Sequence, residues 1–251
     1  MCRLFAAVIL SICFVFASVG CNRNECCCDE CASAAAASAD QPTPAPKNTP
    51  DPKLNTMVPP SMPPRLGEFD AERDIGKVDP PGTSAIDRAA GKYTIKSGGA
   101  NIWFKQDDFH FAFKKASGDI VMSAEIEFVG EGKNPHRKAG LMIRQDLDAD
   151  SAYVDVVQHG DGTIALQYRK AKGDDTYELK SHVKAPATVR IERHGTTNTV
   201  YVTPKGGKTE TVTPIEIELK DPVYIGLAVS AHDPSAAETA VISNVKVTAG
   251  K

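Results

Sequence analysis

The chain has 251 residues, with 29 Lys plus Arg against 32 Asp plus Glu and a formal net charge of −3. With no basic excess, the composition excludes a binder that depends on positive charge, whether for nucleic acid or for an anionic membrane surface. The charge balance is nearly even within the folded part as well.

At the N-terminus a single basic residue, Arg3, precedes LFAAVILSICFVF, an apolar run of 13 residues followed by ASVGC. The run is too short to span a bilayer and has the build of a secretory signal peptide over residues 1–20. The sequence around Cys21 resembles a bacterial lipoprotein cleavage site, with Gly20 before the cut and Cys21 as lipid acceptor, although Ser18 stands where that motif usually has Leu. This reading expects a bacterial envelope protein, periplasmic or surface-exposed, that meets the membrane through its lipid alone. Ordinary signal-peptidase cleavage nearby would instead give a soluble exported protein. All seven cysteines lie at or before Cys31, so the rest of the chain must be held by packing. Cys26, Cys27, Cys28 and Cys31 could offer thiolates to zinc or copper. Three adjacent cysteines cannot easily turn to one ion, however, and an exported chain tends to oxidise or acylate such thiols.

Residues 21–68 combine the lipidated cysteine, the cysteine cluster and a stretch dominated by Ala, Pro, Ser and Thr. More than half of the chain's 17 prolines fall between residues 42 and 64. Such a segment buries no core. It is expected to act as a disordered, polyproline-biased tether of ~3 Å per residue, with a reach on the order of 100 Å. A Pro-rich ligand for another domain is the alternative.

Residues 69–251 read as one all-β domain, large enough to bury about 70 per cent of its unfolded surface. Strand patterns follow one another: KYTIKSG, NIWF, DFHFAFK, DIVMSAEIEFVG, KAGLMIRQ, SAYVDVVQ, TIALQYRK, ATVRIERHG, NTVYVTP, VYIGLAVSAH and TAVISNVKV. The pairs Ser117-Gly118, Asp161-Gly162 and Gly206-Gly207 read as turns between them. So many short strands without amphipathic helices predict a sandwich or jelly roll rather than βαβ units. In DFHFAF, alternation places Phe109, Phe111 and Phe113 on one face, expected to be core, and His110 on the other.

The runs GEFDAERDIGKVDPPGTSAIDRAAGKYTIKSGGANIWFKQDDFHFAFKKASGD, KAGLMIRQDLDADSAYVDVVQHGDGTIALQYR, VYIGLAVSAHD and ISNVKV together resemble a family. It is the concanavalin A-like domain family of unknown function that includes the regulation-of-enolase-type proteins. The resemblance covers nearly all of residues 69–251 and implies a two-sheet jelly-roll sandwich of the lectin/glucanase type. It implies no reaction, because that fold hosts lectins, glycosidases and inert modules alike.

Catalytic patterns are weak. Glu125 and Glu127 share a strand face in AEIEFVGEG, but the place for the third acid of a laminarinase-like motif holds Val129 or Gly130. An i, i+2 pair is ~6.5 to 7 Å apart along a strand, longer than the roughly 5 to 5.5 Å of a retaining glycosidase pair. The six histidines show no ligand spacing, and no cofactor motif is present. Calcium has one candidate loop, DLDAD, where Asp146, Asp148 and Asp150 alternate; solvated turn acids are the plainer reading. HGDGT reads as a hairpin turn.

The polar face is more informative. If Met122, Ala124, Ile126 and Phe128 face the core, Glu125 and Glu127 face out, and the same alternation turns Arg144, Tyr153, Asp155, Gln167 and Arg169 outward. Their carboxylates, guanidinium groups, amide and tyrosine ring are groups that sugar hydroxyls pair with. His110 can join them, and Trp103 either stacks on a sugar or packs under the sandwich edge. Two functions follow: a non-catalytic module for extracellular or cell-wall polysaccharide, or a structural or protein-interaction domain of the envelope. Glycoside hydrolysis is the outlier, and the sequence leaves the oligomeric state open.

Overall fold

A computed structural model describes residues 65–250. The export signal, Cys21, the cysteine cluster and nearly all of the Pro-rich segment lie outside these residues. Among the described residues no helix forms and all regular structure is strand. The chain lays down β1 (Ala71–Ile75), β2 (Thr83–Asp87), β3 (Lys92–Ser97), β4 (Ile102–Trp103) and β5 (Gln106–Asp107) before the long β6 (Phe109–Phe128). Then come β7 (Lys138–Arg144), β8 (Tyr153–His159), β9 (Thr163–Arg169), β10 (Tyr177–Lys184) and β11 (Ala187–His194). The last are β12 (Thr197–Pro204), β13 (Glu210–Glu216), β14 (Val223–Ser230) and β15 (Glu238–Gly250).

Two antiparallel sheets stack as a jelly-roll sandwich. The first runs β10-β9-β8-β7-β14-β6-β1 and the second β13-β12-β11-β6-β15-β3-β2. Strand β6 serves both. Its first half pairs with β1 and β14, and its second half with β11 and β15. Ser117-Gly118 is therefore not a turn between two strands but a bend inside one. Gly118 takes φ 71°, a left-handed conformation that costs glycine little, and the partner register slips there between Ala249 and Gly250.

Alternation explains the core. Ala112, Leu227, Leu141, Val156 and Leu166 pair in a row across the first sheet, and all are fully buried. They pack against Met122, Ala124, Val189, Ile191, Val200 and Ile242 of the second sheet. Each such Leu or Ile contributes about 1.5 to 3 kcal/mol of transfer free energy. At one sandwich edge Glu210 of β13 accepts hydrogen bonds from the backbone N–H groups of His182 (3.1 Å) and Val183 (3.1 Å) on β10. That carboxylate satisfies donors that the irregular register of Lys180 to Lys184 leaves without a ladder partner.

Candidate functional site

Registers decide which side chains share the outer face of the first sheet. Phe113 pairs with Gly226, Gly226 with Met142, Met142 with Asp155, and Asp155 with Gln167. In the next row Tyr224 pairs with Arg144, Arg144 with Tyr153, and Tyr153 with Arg169. Directly paired residues lie on one face, so Phe109, Phe111 and Phe113 sit with the polar groups and not in the core between the sheets. The expected alternation and burial are present; the expected face is reversed. The three rings form a second apolar cluster with Ile75, Ile102, Met142, Tyr153 and Ala228.

Loops cover half of this face. Arg144, Tyr153, Asp155 and Arg169 are fully buried, which corrects the expectation that they form an open binding surface. The hairpin β4–β5 sets Asp107 against them. Arg169 donates to both Asp107 oxygens, Nη1 to Oδ2 at 2.8 Å and Nη2 to Oδ1 at 2.7 Å, and Arg144 Nη2 stands 3.6 Å from Oδ2. Burial opposes the Arg169 charge, but the bonds and attraction of Asp107 outweigh it and hold the guanidinium above its ordinary pKa. The spare donors clamp three loops: Arg144 reaches the carbonyls of Asp146 and Asp148, and Arg169 those of Phe104, Ser151 and Asp174. Tyr153 Oη meets Thr176 Oγ1 at 3.3 Å. Burial, against the attraction of Lys138, pushes the Asp155 carboxyl well up, and its Oδ2 has no partner.

The other half of the face stays open as a cavity of about 380 Å³. Trp103 and Phe104 form one wall, with rings 6.4 Å apart and inclined at 71°. His136, His159 and His232 cluster in its lining, with the rings of His159 and His232 centred 6.1 and 5.5 Å from that of His136. Gln167, Glu178 and Lys138 complete the floor. Lys138 Nζ donates to Asn101 Oδ1 (2.5 Å) and to the Ile102 carbonyl (3.1 Å), lies 5.4 Å from the Trp103 ring centroid, and is drawn down by burial to a pKa of about 8. Gln167 Nε2 donates to Glu178 Oε2 at 2.8 Å, which fixes the amide orientation and leaves its buried Oε1 without a partner. His159 Nε2 and His232 Nδ1 are likewise buried without a hydrogen-bond partner, His159 Nε2 lying 3.6 Å from Glu178 Oε2.

Burial, followed by the nearby Lys138 charge, lowers the His159 pKa to about 4. A histidine with a folded pKa below its unfolded 6.5 binds fewer protons than the unfolded chain between those values, so stability falls as pH drops through that window. The chain is expected to lose stability from pH 6.5 to about 4 more steeply than a His159→Gln variant. Parallel curves in pH-dependent denaturant titrations would contradict this.

The remaining sequence candidates scatter. His110 is buried on the inward side of β6, between the edge strands β1 and β2, and not on the polar face: its Nδ1 meets Asp74 Oδ1 at 2.6 Å, and its Nε2 meets Glu72 Oε2 at 3.1 Å and Ser84 Oγ at 3.0 Å. Glu125 and Glu127 belong to the second sheet, where they line a separate cleft with Thr188, Thr203 and Ser243. They cannot join Arg144 or Arg169 because β6 changes sheets between them. Only Trp103 and Gln167 of the expected residues reach the cavity. Asp146, Asp148 and Asp150 do converge on a cation, the ammonium of Lys172, with Nζ 3.4 Å from Asp146 and 3.6 Å from Asp150. Among the described residues no group of three or more His, Cys, Asp and Glu is placed to hold a metal ion.

No family model and no curated protein matches the chain. Among solved structures it is similar to a functionally unknown protein from Saccharomyces cerevisiae, at 14% identity over 74% of this chain and 99% of that one, with a TM-score of 0.56. It is also similar to the carbohydrate-binding module CBM66 from Bacillus subtilis (15% identity, 72% and 98% covered, TM-score 0.47). A third is a β-glucanase from Bacillus licheniformis (9%, 72% and 92%, TM-score 0.47). The first likeness shows a shared fold and leaves the chemistry to the residues themselves.

Phe104, Lys138, Glu178 and the three histidines were missed as site residues. Phe104 carried a faint signal as the ring beside Trp103 in NIWF; the histidines, far apart in sequence, carried none.

Proposed function

We propose that this protein is an envelope-tethered, non-catalytic binding module of the concanavalin A-like type that holds a neutral carbohydrate in the cavity beside Trp103 and Phe104. The observation that carries the reading is the Trp103–Phe104 aromatic pair on a cavity whose other lining groups, among them Asn101, Gln167, Glu178 and Lys180, supply both donors and acceptors. A carboxylate or phosphate brings only acceptors, whereas a sugar hydroxyl donates and accepts, and its ring presents a C–H face to Trp103. Lys138 and Lys180 balance Asp161 and Glu178 around the cavity, which also suits a neutral ligand.

A glycan array probed with the purified chain is expected to show saturable binding to a neutral polysaccharide. Trp103→Ala and Gln167→Leu should each weaken it by about tenfold, the equivalent of 1.4 kcal/mol, while Glu125→Gln should leave it unchanged. Silence across the array would leave a structural or protein-interaction domain. The sealing of half the face around Arg144 and Arg169 favours that role for that half alone.

Lipid attachment at Cys21 and a bacterial envelope location, with the family resemblance of the strand motifs, belong to the same proposal. Labelled palmitate is expected on the chain, and both label and membrane partitioning should vanish in Cys21→Ala. Attachment at Cys21 is ruled out if both persist.

A further inference from the structure

Phe104 is in an unusual situation. It is the most exposed large apolar side chain among the described residues, at 67%, and its backbone takes φ 51°, a left-handed conformation that a bulky residue adopts only under constraint. The constraint is identifiable. Its carbonyl accepts hydrogen bonds from Arg169 Nη2 (2.9 Å) and Nε (3.2 Å) and from Thr176 Oγ1 (2.9 Å). Arg169 is in turn fixed by Asp107. The buried ionic lock thus holds the backbone that presents this ring, while the ring gains little from packing of its own.

A second cleft of about 790 Å³ opens beyond the hairpin tip. It shares Asn101, Trp103 and Phe104 with the first cavity and adds Lys105, Gln106 and Asp150. The Trp103–Phe104 tip is therefore a saddle between two depressions that share its rings. A ligand confined to the first cavity would cover Phe104 only on the side that lines that cavity and leave its side toward the second cleft in water. A ligand that crosses the saddle would cover both rings.

We infer that the ligand is a linear oligosaccharide or polysaccharide gripped along its length, with further sugar units in the cleft beyond Phe104. This rests on the carbohydrate reading above. The second cleft supplies one cation, Lys105, with Asp108 and Asp150 as acceptors and Gln106 as both donor and acceptor. That mixture again matches hydroxyls better than a fixed charge. Trp103 takes the unit in the cavity, Phe104 the unit at the saddle, and Lys105 and Gln106 the units beyond.

Calorimetry with β-1,3- and β-1,4-linked gluco-oligosaccharides and xylo-oligosaccharides of two to six units tests the inference on the full chain. Affinity is expected to rise by about tenfold from the disaccharide to the longest member of the series that binds, a gain of 1.4 kcal/mol. Lys105 and Gln106 are both exposed, so the double variant Lys105→Ala, Gln106→Ala should fold normally, remove this gain and keep the disaccharide affinity. Equal affinities for two and six units, or a variant that weakens all lengths alike, would overturn the inference while the cavity reading stands. Silence of the whole series together with a silent glycan array would overturn both. Phe104→Leu, which keeps an apolar side chain without the ring, should lose part of the length dependence; an unchanged profile would count against the saddle.

Discussion

Asp107→Ala is expected to destabilise the domain by ~3 to 5 kcal/mol, because it leaves the buried guanidinium of Arg169, and that of Arg144 beside it, without a compensating anion. The loss should appear in denaturant titrations as a lower midpoint at an unchanged slope. The pair's net worth is a separate quantity from the cost of breaking it. Replacing both partners with apolar residues of similar volume, Asp107→Leu with Arg169→Met, should recover only part of the single-variant loss, since it removes one buried charge but leaves Arg144 without its anion and the carbonyls of Ser151 and Asp174 without their donor. The double variant should still release the Phe104 carbonyl and weaken ligand binding, because Arg169 supplies two of the donors that hold it. A single variant as stable as the unmodified chain would show that water reaches the site and that the loops are not locked.

Phe111→Ala should also cost ~3 to 5 kcal/mol, through lost transfer energy and the cavity left behind. Phe111 is fully buried, stacked on Phe113 at 5.2 Å and edge-on to Phe109 at 5.6 Å. His110→Ala, its neighbour on the opposite face, is expected to cost less, about 1 to 3 kcal/mol, by leaving Asp74 and Ser84 without their partner. Sequence alternation alone would make His110 a cheap site; its three polar contacts revise that. Urea unfolding of both variants decides the matter. A Phe111 loss within about 0.5 kcal/mol, the range of surface substitutions, would mean that the second apolar cluster is not packed.

The strands read from the sequence lie inside the sheets, apart from the short β4; five escaped it, the short β5 and the strands β1, β2, β10 and β13, which are the edges. The physical reason is burial. An inner strand such as β3, with its alternating exposed and buried residues, must put every second side chain into the core. An edge strand such as β1, AERDI, is exposed along most of its length and needs no such pattern. The inner alternation was equally legible in residues 122 to 126, 141 to 143, 154 to 156 and 164 to 166.

What the sequence could not express was the neighbour on the other side. Ser117-Gly118 reads as a turn on composition, and with the strand cut there, nothing ties the parity of Phe111 to that of Met122. Taken as one strand, the even positions Ala112, Ala116, Ile120, Met122 and Ala124 all face the core, and the three phenylalanines necessarily face away. Nor does alternation distinguish a face open to water from one roofed by loops, and so Arg144 and Arg169 read as surface groups although they are buried ion partners. By itself the sequence determined the all-β architecture, the inner strands and, except in the first half of β6, the side of each that packs between the sheets, because these follow from local alternation and transfer free energy. Only the tertiary structure decided where β6 changes sheets, which loops seal the outer face, and that Trp103, Lys138, His159, Gln167 and His232 meet in one cavity. Those outcomes depend on registers and on contacts between residues remote along the chain, which no local pattern records.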